Sequence, residues 1–213
     1  MFIELVDALR CPVAHAESWL VAAAIRMEAR HIVDGTLGCP VCSAEYPIRD
    51  GVVDFRTHPG QPVALAARHD PALALRLAAM LDLADSHGFA VLLGAWGSHA
   101  GALSAVAETP LLLIDPPGDV GGSPGISVLR CDGCVPLAIG AARAMAIDTG
   151  DSARVESAVR ATRAKGRVLA PVSVELPAGV RELVRDDAVW VGERASDVSP
   201  LVTLHVRRAA QAG

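Results

Sequence analysis

The clearest hydrophobic pattern in the sequence consists of two short apolar runs, at residues 90–93 and 111–114. Both are continuously apolar, as strands buried on both faces of a parallel sheet are. Between them lie a glycine-containing turn and a segment of helical composition at residues 100–106, for which Ser98 is the predicted N-cap. Strand, turn, helix and strand form a βαβ unit, which predicts half of a nucleotide-binding α/β sheet.

Further apolar runs continue this alternation and predict an α/β sheet of seven strands. Asp151 or Ser152 is expected to cap a helix that runs through residue 164, and another helix is expected at residues 178–186. Because only a short loop separates the last two predicted strands, too short for a parallel crossover, we expect them to form an antiparallel hairpin. The strands predicted after the βαβ unit are residues 126–130, 144–148, 167–174, 188–192 and 201–206.

The N-terminal part of the chain has a different pattern, typical of a small β module. Residues 2–9 have apolar positions at helical spacing and predict a short helix. Strands are predicted at residues 20–26 and 31–37, and as two short strands around an Arg-Asp-Gly turn at residues 46–55.

A breaker-rich segment at residues 57–62 predicts the boundary between the two parts of the chain. We therefore expect one domain at residues 1–57 and a second at residues 63–213. The second begins with apolar residues at helical spacing across residues 63–84, and the helix there begins, or begins again, at Asp70, with proline in its first turn.

Composition restricts the classes of partner. The chain has 213 residues, a formal net charge of −5 and 52% hydrophobic residues, but only 3% aromatic residues. Its basic residues are scattered, which favours a small-molecule or protein substrate over a nucleic acid. Since the sequence has no apolar run long enough to span a bilayer and acidic residues near its start, we expect a cytoplasmic protein that does not enter the membrane.

Cysteines at two places predict a metal site in the N-terminal module. Cys39-Pro-Val-Cys42 is a knuckle of the kind that places two thiolates on one Zn²⁺, and Cys11-Pro-Val-Ala-His15 offers further ligands. In a cytoplasmic chain, such cysteines suggest a metal or plain thiols rather than disulfides.

The combination LRCP, CPVC and YPIRDGVVDF resembles the zinc-ribbon subunits that activate tRNA and protein methyltransferases, and the zinc-ribbon front ends of some ribosomal-RNA methyltransferases. The resemblance covers about the first quarter of the chain. Such modules usually carry two C-x-x-C pairs, and here Ala14 stands where the first pair has its second cysteine. We expect His15 to substitute, which gives a Cys₃His site from Cys11, His15, Cys39 and Cys42. The alternative is a ribbon that has lost its metal and is held by apolar packing. A partner protein could bind through the ribbon or a sheet edge.

Residues 71–208 resemble the class I S-adenosylmethionine (SAM) methyltransferase fold, in which parallel strands end in an antiparallel hairpin. The resemblance implies that residues 93–98 form the SAM-binding loop, that Asp115 binds the ribose hydroxyls and that Asp132 lies near the adenine amino group. Asp148 falls where substrate-facing residues usually lie. The implied cofactor-binding residues are Gly94, Trp96, Gly97, Asp115 and Asp132.

Two departures from that family leave a second hypothesis open. The strand before the loop contains no acid, and Trp96 lies in the loop where the methionine part of SAM would pass. The sequence therefore predicts either a SAM-dependent methyltransferase of unknown substrate or a degenerate methyltransferase fold that acts as a binding or assembly module.

No catalytic residue is assigned from the sequence. His99 is a candidate base, but a packing role is more common for a histidine at that place. Cys131 and Cys134 have C-x-x-C spacing, and we interpret them as buried thiols rather than a redox pair.

Overall fold

The strands of the protein join into one eleven-stranded sheet in a computed structural model that describes residues 1–57, 70–84, 86–118 and 121–196. The first six strands along the chain are β1 (Val21–Glu28), β2 (His31–Gly38), β3 (Glu45–Arg49), β4 (Val52–Asp54), β5 (Ala90–Leu93) and β6 (Leu111–Ile114). The other five strands are β7 (Ile126–Arg130), β8 (Ala142–Ala146), β9 (Thr162–Pro171), β10 (Val180–Arg185) and β11 (Val189–Arg194).

Three α-helices and two 3₁₀ helices accompany the sheet in the described part of the chain. The α-helices are α1 (Pro71–Met80), α2 (Ala100–Ser104) and α3 (Ser152–Ala161), and the 3₁₀ helices are Ile3–Ala8 and Gly94–His99. Within the described ranges, no helix is long and apolar enough to cross a membrane.

The strand order is β1-β2-β3-β4-β7-β6-β5-β8-β9-β11-β10. Strands β1 to β4 form an antiparallel meander, which is the predicted N-terminal module. Strands β7, β6, β5, β8 and β9 are parallel, and β11 then pairs antiparallel with both β9 and β10. This confirms the predicted α/β sheet of parallel strands with an antiparallel strand near its end. The predicted domain boundary stays a prediction.

A parallel pairing between β4 and β7 joins the module to the α/β sheet. Asp50 and Gly51 both have positive φ angles, which is the geometry of the tight hairpin turns that reverse an antiparallel pair. That turn places β4 beside β3 on one edge and beside β7 on the other, with Val53 opposite Ile48 and Leu129. The main chain of the module is thus part of the same hydrogen-bonded ladder as the α/β domain.

The hydrophobic core is also continuous between the module and the α/β sheet. Residues on one face of the sheet, such as Leu112 and Ile114, pack in one cluster with Ile32, Leu37 and Val53 of the module. The alternate residues of the parallel strands pack in a second cluster under α1 and α2. Strands buried on both faces explain why their sequences are continuous apolar runs.

The structure corrects the prediction for residues 178–186, where a helix was expected. These residues contain strand β10, which pairs with β11. Val180, Leu183 and Val184 have helical spacing, but Leu183 and Val184 are exposed and only Val180 is buried. Pairing with β11 therefore overrides the local pattern. The antiparallel strand of the sheet is β11, while the predicted strand at residues 201–206 lies outside the described residues.

Other predicted boundaries are corrected more modestly. Asp70 and Asp151 cap α1 and α3 as predicted, because their carboxylates accept hydrogen bonds from backbone N–H groups of the first turn. Helix α3 ends three residues early, since β9 begins at Thr162. Ser98 is not an N-cap: its hydroxyl donates to the Ala95 carbonyl within the 3₁₀ helix. Residues 58–69 of the predicted linker and helix lie outside the described residues.

The β4–β7 junction gives a test of the shared core. Val53 is fully buried, so Val53→Ala should remove apolar packing and lower the free energy of unfolding by roughly 2 kcal/mol. Val21→Ala is the matched control, because Val21 is also in a strand but is 63% exposed, and its effect should stay within about 0.5 kcal/mol. Urea unfolding measures both. Equal effects of the two substitutions would contradict a core that runs through the junction.

Candidate functional site

The four predicted metal ligands lie together at one end of the module. Cys39 directly follows β2, Cys42 lies in the turn before β3, and Cys11 and His15 come from the segment after the first 3₁₀ helix. Their ligand atoms all lie within 4.8 Å of one another. The structure therefore brings together the predicted set of Cys11, His15, Cys39 and Cys42, in a group that could hold a metal ion.

Two of the distances within this cluster are close to those of tetrahedral coordination. Cys11 Sγ lies 3.7 Å from Cys42 Sγ, and Cys39 Sγ lies 3.4 Å from His15 Nε2. Zinc bonds of about 2.0–2.3 Å at tetrahedral angles place such ligand atoms about 3.5–3.8 Å apart. His15 Nδ1 lies within hydrogen-bond distance of the Ala16 carbonyl, an arrangement in which Nε2, on the side of the thiols, is the nitrogen that would bind a metal.

Electrostatics around the cluster favour one thiolate in particular. Burial opposes ionisation of Cys39, but backbone N–H groups of Cys42 and Val41 and the neighbouring thiols lower its pKa to about 6. Burial raises the pKa of the Cys11 thiol, and its contact with the Tyr46 hydroxyl, 3.2 Å away, acts in the opposite direction. The cluster therefore has a ready anionic ligand in Cys39 and a hydrogen-bonded one in Cys11.

The second candidate site lies where the parallel strands of the sheet end. Asp115 follows β6 at a positive φ angle of 51°, and both of its carboxylate oxygens have partners within the chain. Oδ1 accepts from the backbone N–H of Cys131 at 3.0 Å, and Oδ2 accepts from Arg154 Nη2 at 2.6 Å. The carboxylate that was expected to accept hydrogen bonds from ribose hydroxyls thus already accepts hydrogen bonds from other residues of the chain.

Arg154 is the residue of this site that sequence reasoning missed. Arg154 lies in the first turn of α3, which follows β8. Its ion-pair partner Asp115 follows β6. Because β5 lies between β6 and β8 in the sheet, the ion pair spans the end of β5. Its side chain is only 16% exposed. Burial alone would lower the pKa of Arg154, but the hydrogen bond to Asp115 and the charges of Cys131, Asp115 and Asp148 raise it above its usual value. No sequence motif marks an arginine that pairs with an acid 39 residues away.

The glycine-containing loop is filled by neighbouring side chains. Asp148, at the end of β8, accepts a hydrogen bond of 2.8 Å from the Ala95 backbone N–H. A Cβ atom at Gly94, whose φ angle is +49°, would overlap the Asp148 carboxylate, and one at Gly97 would lie 2.7 Å from Pro116 Cβ. Packing against Asp148 and Pro116 therefore accounts for both glycines.

Trp96 forms a wall of a neighbouring pocket. Its indole N–H donates to the Ile147 carbonyl at 3.0 Å, which fixes the ring beside the end of β8. The pocket has a volume of about 420 Å³, within the range of small-molecule sites. Leu77 and Met80 of α1 line it on the other side, and His99 also borders it.

The remaining predicted residues also have partners inside the chain. Asp132 Oδ2 accepts from the Thr57 backbone N–H at 3.3 Å, so it contacts the exit of the module. Cys131 is buried, and burial together with the Asp115 charge raises its pKa to about 12. Cys134 is exposed, which corrects the expectation that both thiols are buried.

The residues present fit SAM poorly in this arrangement. Asp115 already accepts one hydrogen bond on each oxygen, from Cys131 and from Arg154, so ribose hydroxyls would share the carboxylate with a charged partner. Close approach of a ligand to the loop needs the space beside Gly94, which the Asp148 carboxylate occupies.

Comparison with protein families identifies the N-terminal module. Residues 3–51 match the family described as Trm112p-like protein. No curated protein matches the chain. Residues 3–51 of the module are therefore similar to Trm112p-like proteins, and the match ends at the β3–β4 turn, before the strand that pairs with β7.

The solved structures similar to this chain include methyltransferases. A protein from Corynebacterium glutamicum is 14% identical, with 61% of this chain and 83% of that one covered and a TM-score of 0.43. The antibiotic-resistance methyltransferase Kmr is 14% identical, with 64% and 100% covered and a TM-score of 0.40.

Geranyl diphosphate methyltransferase, solved in complex with SAM, is 12% identical, with a TM-score of 0.37. That similarity covers 47% of this chain, and the chain spans about half (48%) of that protein. The chain combines a Trm112p-like match over residues 3–51 with the parallel sheet described above.

Proposed function

We propose that this chain is a methyltransferase-like protein that acts as a binding or assembly module and does not use SAM. The observation that carries this proposal is the ion pair between Arg154 and Asp115, which spans the end of β5. An acid held by a largely buried guanidinium is a weaker acceptor for a neutral diol, because the ligand would compete with a charge-assisted hydrogen bond. The Trm112p-like domain supports a protein partner for such a module.

The contacts of the other predicted cofactor residues support the same role. Asp148 fills the space beside Gly94, Pro116 packs on Gly97, and Asp132 binds the main chain at Thr57. Each contact lies within the chain and needs no ligand. A sheet end stabilised in this way serves as a rigid scaffold for interactions elsewhere on the surface.

The strand order and the place of Asp115 at the end of β6 favour the second candidate, a SAM-dependent methyltransferase. In that case Arg154 and Asp148 would have to move away before SAM could bind. The assignment of cofactor contacts to Gly94, Trp96, Gly97, Asp115 and Asp132 stays a prediction, and a binding experiment decides between the two functions.

Calorimetric titration with SAM and with S-adenosylhomocysteine tests the proposal. We expect no heat and no thermal shift with wild-type protein at millimolar ligand. Arg154→Gln and Arg160→Gln are titrated in parallel, because Arg160 lies exposed on the same helix and leaves the ion pair intact. Binding by wild type would overturn the proposal, whereas binding by Arg154→Gln alone would support the ion pair as the feature that excludes SAM.

The filled loop gives a second test, on stability. Gly94→Ala should lower the free energy of unfolding by at least about 1–2 kcal/mol, because its left-handed backbone disfavours a side chain and the new Cβ would displace Asp148. Gly101→Ala is the control, since Gly101 lies in α2 with no atom near its Cβ position, and alanine there should raise stability by up to about 1 kcal/mol. Urea unfolding measures both. Gly94→Ala with wild-type stability would mean that Asp148 does not hold the loop.

We propose further that the Cys₃His cluster holds one structural Zn²⁺. Four protein ligands would leave no open position on a tetrahedral zinc, so the metal would stabilise the module and take no part in a reaction. Cysteines that bind zinc must remain reduced, and all five are free thiols in the structure, which supports a cytoplasmic location.

Elemental analysis of protein purified without chelator should give one zinc per chain. Cys39→Ser should abolish most of the zinc and make the residues before Phe55 sensitive to protease, since metal binding contributes to folding of small modules. Cys134→Ser should keep full zinc, because that exposed thiol lies outside the cluster. Zinc well below stoichiometric, with the wild-type module still protease-resistant, would show that the substitution of Ala14 for a cysteine marks a lost site.

A further inference from the structure

The single tyrosine of the chain lies beside the Cys₃His cluster. Tyr46 belongs to β3, in which Tyr46 and Ile48 are buried while Glu45 is exposed, as alternate positions of a strand are. Strand β3 pairs with β2, which leads directly to Cys39, so the pairing brings the ring to the metal end of the module. The Tyr46 hydroxyl lies 3.2 Å from Cys11 Sγ, within hydrogen-bond distance of a sulfur atom.

Packing holds the ring that carries this hydroxyl. Only 7% of Tyr46 is exposed, and the centroid of its ring lies 4.7 Å from that of Phe55. Phe55 is itself buried and directly follows β4, the strand that pairs with β7. A buried tyrosine hydroxyl needs a hydrogen-bond partner. Cys11 provides one, so the position of the ring and the position of the thiol depend on each other.

The charge of the cluster makes donors to its sulfur atoms important. Three thiolates and a neutral imidazole would leave one negative charge that a bound Zn²⁺ does not neutralise. Arg10 is the basic residue next to Cys11 in the sequence. Its guanidinium pairs with Glu17 at 3.0 Å and donates to two main-chain carbonyls. The Tyr46 hydroxyl, by contrast, is directed at a ligand sulfur.

We propose that Tyr46 is a positioning residue for the metal, whose hydroxyl donates to the Cys11 thiolate. A thiol can donate or accept, but a metal-bound thiolate can only accept, so the phenol O–H must be the donor in the loaded cluster. Hydrogen bonds to charged acceptors are roughly twice as strong as those between neutral groups. Tyr46 therefore favours the ionised form of Cys11, which is the form that binds metal. The inference rests on the proposed zinc site and names a residue that supports it.

Competition with a chromophoric chelator measures the zinc affinity. Tyr46→Phe keeps the ring and removes only the hydroxyl. It should weaken zinc binding about tenfold, because loss of an outer hydrogen bond to a metal ligand typically costs roughly 10- to 100-fold in affinity. Ile48→Val is the matched control, since Ile48 is buried in the same strand and its truncation loosens the module without removing the hydroxyl.

The absorption spectrum of bound Co²⁺ separates this role from an effect on folding. A hydrogen bond to sulfur lowers the energy of the sulfur lone pairs. Its loss in Tyr46→Phe should therefore move the sulfur-to-cobalt charge-transfer band to longer wavelength. Ile48→Val can bind less metal, since metal binding and folding are coupled, but the cobalt that it binds should give the wild-type band.

Each outcome decides on one of the two proposals or on both. Wild-type affinity and an unshifted band in Tyr46→Phe would overturn the role of Tyr46 and leave the zinc site standing. A weaker affinity with an unshifted band, or equal band shifts in Tyr46→Phe and Ile48→Val, would also overturn it, because the effect would then be one of packing. A wild type that takes up neither zinc nor cobalt would overturn the zinc site together with this inference.

Discussion

The parallel pairing of β4 with β7 is the interaction on which the rest of the architecture depends. Strand β7 is buried along almost its whole length, and without β4 it would end the parallel sheet with an apolar, unpaired edge. Such an edge is prone to pair with other chains. Strand β4, which directly follows the Trm112p-like stretch, covers it with only three residues. Because the core cluster also passes through this junction, the module and the sheet stabilise each other.

The same junction affects the end of the sheet where a ligand would bind. Strand β4 leads directly to Phe55, whose N–H donates to the Arg130 carbonyl, and to Thr57, whose N–H donates to Asp132. Arg130 in turn donates to the carbonyls of Pro116 and Gly118 in the loop after β6. These bonds hold the Asp115 loop from one side, and Arg154 holds it from the other. Asp115 and Asp132, two of the predicted cofactor-binding residues, therefore help to fix the position of the module and the loops.

The sequence predicted those parts of the structure in which local pattern and tertiary context agree. Strands β5, β6 and β7 were predicted to the residue because strands buried on both faces are unbroken apolar runs. The four metal-cluster residues were predicted from their spacing and a family resemblance, and the structure brings them together. Strand β10 was missed, since three of its apolar residues have helical spacing and only its pairing with β11 makes it a strand.

The sequence could not predict the ion pair of Arg154 or the contact of Asp148 with the loop, for a different reason. Both depend on long side chains or turns that meet across separate strands, and neither leaves a local signal in the sequence. An acid at the end of a β-strand has the same sequence signature whether it awaits a ligand or accepts an arginine. For Asp115, the residue that decides between the two cases is Arg154, which lies on helix α3. The glycines of the loop are equally ambiguous, because packing against Asp148 and Pro116 requires the same absence of side chains as a close cofactor does. In this protein, the contacts of Gly94 with Asp148 and of Gly97 with Pro116 favour packing.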